Sequence, residues 1–130
     1  MFLDNDSSQN LTSLSFDERL RLAQGKDESA LDGLSLDPDW RIRLEVAKHC
    51  KARLLRVMLS NSERRVEVLA MIARRGSKKL QDRLINHYHY SVRLEVAHHG
   101  DIDHCEVLKL DKHPEVARVA NSRIMPDLFQ

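Results

Sequence analysis

The chain has 130 residues, 42% hydrophobic and 32% charged, with a net charge of +1 at pH 7. This is enough chain for one compact folded unit with a real core. No apolar run approaches the ~20 residues of a bilayer span, Met1 to Ser15 has no basic or apolar leader pattern, and two cysteines, Cys50 and Cys105, are too few for a disulfide framework. A single protein without a membrane segment, in a reducing cytoplasm, is therefore expected.

Residues 1–14 are rich in Asn, Asp and Ser and read as a flexible tail. Ser15-Phe16-Asp17-Glu18 fits a capping box, with Ser at the N-cap and Glu three places on, and Gly25 closes that helix. Asp37-Pro38 predicts the next helix start, with Asp as N-cap and Pro at the first helical position. Ile42, Val46, Ala47 and Cys50 make its apolar stripe; a second helix places Leu54, Leu55, Met58 and Leu59 inward and breaks at Asn61-Ser62. The plan recurs with Val68, Leu69, Ile72 and Ala73, a stop at Gly76, a cap at Ser77, then Leu80, Leu84 and Ile85. It recurs again with Val92, Leu94, Val96 and Ala97, a stop at Gly100, then Ile102, Val107, Leu108 and Leu110. His113-Pro114-Glu115 opens a truncated last unit, whose apolar end, Ile124 to Phe129, is expected to fold back as a cap. No segment alternates with period 2, so no sheet is predicted.

The chain therefore repeats itself. Arg43-Leu44-Glu45-Val46-Ala47 returns as Arg93-Leu94-Glu95-Val96-Ala97, and Ala23, Ala47, Ala73, Ala97 and Ala120 recur at spacings of 24, 26, 24 and 23. Such periodicity predicts an all-α solenoid of about five two-helix repeats, near 15–36, 37–61, 62–86, 87–112 and 113–130, forming one domain over 15–130. Each repeat alanine marks a close approach between neighbouring units. Recurrence of Arg43 and Arg93 at one register argues that they are structural, each pairing with an acid in the adjoining turn or stacking under the next unit.

The pattern Asp-Pro-x-x-x-Val/Ile-Arg-x-x-Val-Ala, followed by a Leu-rich helix, resembles the leucine-rich repeat variant family, a relative of HEAT-type solenoids. Asp37-Pro38 with Ile42-Arg43 and Val46-Ala47 carries the resemblance best, then Val92-Arg93 with Val96-Ala97; the third unit has Leu69 in place of the arginine. The resemblance covers residues 15–124 and implies a right-handed superhelix. Some members carry an iron–sulfur cluster on an added cysteine-rich segment, which this chain lacks, so no cofactor is carried over.

Charge is unevenly spread: −6 over residues 1–40, +9 over 41–83 and −2 over 84–130. One candidate site is a column just after the repeat alanines, Lys48-His49, Arg74-Arg75 and His98-His99. Such a ridge suits phosphates or an acidic protein surface; equally, cations favour helix C-termini, by ~0.3–1 kcal/mol each. A second basic group is Lys51, Arg53, Arg56, Lys78, Lys79 and Arg83 on the second helices, with Arg64 and Arg65 nearby. Aromatics are only 5% of the chain and do not interleave with these bases in sequence, so no stacking platform for single strands is evident. Trp40, the only tryptophan, reads either as a seal between units or as an interface anchor. The stretch His87, His89, His98, His99, His104 and Cys105 lacks an i, i+4 ligand pair, so no metal is assigned. No nucleophile elbow, phosphate loop or zinc-protease motif appears. The expectation is a non-enzymatic binding scaffold, of adaptor or inhibitor type, gripping an acidic protein; the alternative is nucleic-acid binding through the phosphate backbone. Monomer and weak homo-oligomer are both compatible with the sequence.

Overall fold

The computed structural model describes residue 11 and residues 13–128. The predicted tail, 1–14, and the end of the predicted cap at Phe129 fall largely outside the described residues. The fold is all-α: among the described residues there are nine principal helices and no strand. They are α1 (Phe16–Ala23), α2 (Glu28–Leu34), α3 (Trp40–His49), α4 (Ala52–Ser60), α5 (Val66–Arg75), α6 (Lys78–Leu84), α7 (Tyr90–His99), α8 (Ile102–Leu108) and α9 (Pro114–Ile124), followed by a 3₁₀ turn, Pro126–Leu128. None of them is long and apolar enough to cross a membrane.

The chain forms two compact units, residues 1–68 and 69–130. In the first, α1 packs on α2 and α3, and α2 on α3. In the second, α9 packs on α7 and α8, α7 on α8, and α6 on α7. Every repeat alanine (Ala23, Ala47, Ala73, Ala97 and Ala120) is fully buried. These positions admit helix backbones close together because a methyl group is all that stands between them.

Each of the first four sequence repeats becomes a first helix and a shorter second helix. The second helices α2, α6 and α8 have seven residues, whereas α4 has nine. That longer helix accommodates the 26-residue spacing, and the chain then reverses through Ser62, the one non-glycine residue with positive φ (67°) among those described.

An arginine clamp ties the first helix to the turn that opens the next repeat. Arg19 Nε donates to Asp37 Oδ2 at 2.8 Å, Arg43 Nε to Glu63 Oε1 at 2.8 Å, and Arg93 Nε to Asp111 Oδ2 at 2.8 Å. The same guanidiniums donate to backbone carbonyls upstream: Leu14, Asp37, and both His87 and Tyr88. The structural role inferred for Arg43 and Arg93 is thus present as geometry. In the third repeat the arginine is Leu69 and the acid is His87, so both halves of the clamp are replaced together.

The acid of the clamp also shapes the turn, which corrects one predicted helix start. Asp37 does not cap α3. Its Oδ1 accepts the Asp39 N–H at 2.9 Å, while Asp39 is the true N-cap, accepting the Arg41 N–H at 2.9 Å. The helix therefore begins two residues after Pro38. The predicted Ser15–Glu18 capping box, the Ser77 cap and the His113-Pro114 start are all present.

The stops at Gly76 and Gly100 have a different cause from left-handed backbone, because no glycine here has positive φ. A Cβ on Gly76 would lie 2.6 Å from the Ile72 carbonyl oxygen and 3.0 Å from Leu80 Cβ. Close approach of consecutive helices selects glycine there.

The inward face of α8 also departs from expectation. Leu108 is buried as expected, but Ile102, Val107 and Leu110 are exposed, and His104 and Cys105 are buried instead. His104 is accommodated because Asp82 and the Asp101 N–H satisfy its two ring nitrogens, at 2.6 and 3.1 Å. At the far end, the 3₁₀ turn rests on α9 but leaves Met125 and Leu128 exposed, so these residues do not cover a core as a cap would.

Candidate functional site

The structure separates the basic residues by what holds them. Lys48 Nζ lies 2.9 Å from Glu45 Oε2, and His49 Nε2 lies 3.4 Å from Glu45 Oε1. His99 has the same relation to Glu95, at 3.4 Å, and the rings of His98 and His99 are 6.1 Å apart at centroid. The helix-end positions thus share a carboxylate one turn back, an arrangement that suits the negative end of a helix. Of the predicted column, Lys48-His49 belongs to the first unit and Arg74-Arg75 and His98-His99 to the second.

The second-helix bases are partly neutralised as well. In the first unit Lys51 pairs with Glu28 at 2.6 Å and Arg53 with Asp32 at 2.9 Å, so α4 is stapled to α2. Arg56 is exposed and has no acidic partner among the described residues. Arg65 is shared between Glu67 and the face of Trp40, its guanidinium carbon 4.1 Å from the ring centroid. Arg65 thus covers one face of the partly exposed Trp40 ring, as Arg41 covers Phe16 at 4.4 Å. In the second unit Tyr90 and His113 stack at 3.9 Å. These pairs at the starts of the first helices were not legible, because the partners stand 23–25 residues apart and differ in type.

The second unit contains the densest positive feature. Helix α5 ends at Arg74-Arg75, the tight Gly76 follows, Ser77 Oγ accepts the Leu80 N–H, and α6 begins at Lys78. Within Arg74–Arg83 stand Arg74, Arg75, Lys78, Lys79 and Arg83 against one acid, Asp82. That acid is already engaged, its Oδ1 2.6 Å from His104 Nε2. Lys78 reaches across to Asp101 at 2.6 Å and Asp103 at 3.5 Å. The Lys78 ammonium and the His104 N–H hold the Asp101 carboxyl down to about 2, and the same pairing raises Lys78 above its ordinary value. Arg74, Lys79 and Arg83 are exposed and have no acidic partner among the described residues. They are the bases of this corner available to another molecule. His104 and Asp82, which hold the corner together, were missed as partners because their contact spans 22 residues and two helices.

Two members of the histidine-rich stretch, His87 and His89, shape turns, as His113 does further on. His87 Nδ1 accepts the His89 N–H at 3.1 Å, His89 Nδ1 the Ser91 N–H at 3.2 Å, and His113 Nδ1 the Glu115 N–H at 3.3 Å. These rings do for their turns what Asp37 and Asp39 do for theirs. Burial holds His87 below its ordinary pKa and raises the Cys105 thiol. Among the described residues no three His, Cys, Asp or Glu side chains converge as a metal site.

No family model, no curated protein and no solved structure matches this chain.

Proposed function

We propose that the protein is a non-enzymatic binding module that docks an acidic protein on the corner formed by Arg74, Lys79 and Arg83. In this reading the helix pairs, repeating every 23–26 residues, stack as a right-handed solenoid of the leucine-rich repeat variant or HEAT kind. The observation that carries the reading is the contrast among bases. Lys48, Lys51, Arg53 and Lys78 have intramolecular acids, whereas Arg74, Lys79 and Arg83 have none among the described residues. An uncompensated local charge steers encounter with an oppositely charged surface and rejects like-charged ones.

A protein patch suits the corner better than a phosphate chain does. Asp101 and Asp103 sit within 2.6 and 3.5 Å of Lys78, so a polyanion leaving α6 would meet carboxylates on α8. A partner with acids confined to one patch avoids that repulsion.

The test is capture from host lysate by wild type and by an Arg74→Glu/Lys79→Glu/Arg83→Glu variant, with and without nuclease. A discrete protein that survives nuclease and is lost with the variant is expected. Captured nucleic acid whose binding falls steeply with salt would favour phosphate binding instead. Capture unchanged by charge reversal would contradict the docking site.

A further inference from the structure

The second unit is unusual in where its apolar side chains lie. Of the eight large apolar side chains exposed among the described residues, seven belong to residues 69–130, so the apolar surface is concentrated on this unit. Two of them, Tyr88 (76% exposed) and Val107 (59%), border one groove. Its volume is about 280 Å³, its floor includes Ile85 and Leu108, and its wall is the Arg93–Asp111 clamp, with Lys112 at the rim.

The first unit has the repeat-equivalent groove, about 310 Å³, against the Arg43–Glu63 clamp. Its lining includes Ser35, Asn61 and Ser62, with Leu36 as the only large exposed apolar side chain. Both grooves arise from the fold, and the second carries two large exposed apolar side chains at its edge, Tyr88 and Val107, where the first carries one. Exposed apolar side chains beside a groove with an apolar floor can seat a partner's side chain, and such aromatic or aliphatic anchors dominate binding energy. The volume lies below that of a drug-sized pocket and suits one or two protein side chains.

The occupant follows from charge. The Asp111 carboxylate is satisfied by Arg93, and the Lys112 ammonium has no acidic partner among the described residues, so the groove's net demand is for an anion. The groove also neighbours the basic corner. Two contacts tie α6 to α8, Lys78–Asp101 and Asp82–His104. The exposed Arg83 follows Asp82 directly, and the exposed Val107 lies three residues past His104, within one helical turn of that tie.

We infer that the acidic partner inserts a large apolar side chain between Tyr88 and Val107 while its carboxylates meet Lys79, Arg83 and Lys112. This rests on the docking reading above and specifies the partner segment: acidic residues flanking a leucine, phenylalanine or tryptophan. Charge supplies the encounter, and the anchored side chain supplies the residence time.

The test uses a displayed library of random 16-residue peptides, panned against the full chain, with enriched peptides then measured by fluorescence anisotropy. The groove variant is Tyr88→Ser/Val107→Ser, and the charge variant is Lys79→Glu/Arg83→Glu. All four positions are exposed, and melting temperatures confirm that both variants fold. Expected is enrichment of acidic peptides with a large apolar residue, weakened at least tenfold by each variant, with added salt weakening wild-type binding but not removing the groove effect. Enriched peptides that are acidic but lack an apolar anchor, and that ignore the groove variant while losing the charge variant, would overturn the groove and leave the docking corner standing. Peptides indifferent to the charge variant would overturn both, as would no enrichment above background.

Discussion

The Arg93 guanidinium and the Asp111 carboxylate meet through two bonds, Nε to Oδ2 at 2.8 Å and Nη2 to Oδ1 at 3.0 Å, with only 7% and 8% of their side chains exposed. Burial raises the Asp111 carboxyl, but Arg93 and the His113 N–H outweigh it and leave the pKa below its ordinary value. Removing one partner of such a pair strands a buried charge, and Arg93→Leu should cost about 3–5 kcal/mol in chemical denaturation. The third repeat already shows the alternative, Leu69 with His87. The double variant Arg93→Leu/Asp111→His should therefore cost clearly less than Arg93→Leu alone, and an equal or larger cost would show that the clamp is not the source of the effect.

At Gly76 the added methyl of Gly76→Ala would meet the Ile72 carbonyl oxygen at 2.6 Å. The same holds at Gly100 with the Val96 carbonyl oxygen, also at 2.6 Å. Each substitution should lower stability by about 1–3 kcal/mol, measured by urea unfolding. Wild-type stability in both would mean that the corner relaxes without strain.

Much of this architecture was legible because repetition averages over local ambiguity. Five alanines at one register could hardly face solvent, and all five are buried. The Arg43 and Arg93 clamps were legible for the same reason. The face of α8 was not: over seven residues, apolar side chains at Ile102 and Val107 fit more than one helix rotation, and the buried choice turns on His104 finding Asp82. The start of α3 was misplaced because Asp37-Pro38 also makes a good turn, and the Arg19 clamp recruits Asp37 to that role. For the candidate site, the basic residues were visible in sequence, but which ones retain an uncompensated charge depends on acids 21–25 residues away.

Ser62 holds φ at 67°, where a side chain costs about 1–2 kcal/mol. Ser62→Gly should be neutral or stabilising by up to about 1 kcal/mol, the relief being offset by a freer unfolded chain. Ser62→Val, β-branched, should destabilise by about 1 kcal/mol or more. The reverse order in thermal melts would contradict the observed turn.

His87 gives the protein an acid-sensitive step. Burial disfavours its charged ring and, with the nearby Arg93 charge, holds its pKa below 6.5. A base with a lowered folded pKa contributes stability that is complete above 6.5 and lost as pH falls below it. The Asp39 and Asp101 carboxyls, held at about 2 against 3.8, add a second loss only as pH falls below 3.8. His87→Asn keeps an acceptor but removes the titration. Its melting temperature should fall less than that of wild type between pH 7 and pH 5, and identical profiles would remove His87 as the cause.

The most direct test of the docking claim is zero-length carbodiimide coupling of the captured complex, followed by mass spectrometry. The reagent joins an amine to a carboxylate only when the two are in contact. The account predicts partner Asp or Glu residues coupled to Lys79. Coupling confined to lysines elsewhere, such as Lys26 or Lys51, would place the partner away from the Arg74–Arg83 corner and contradict it.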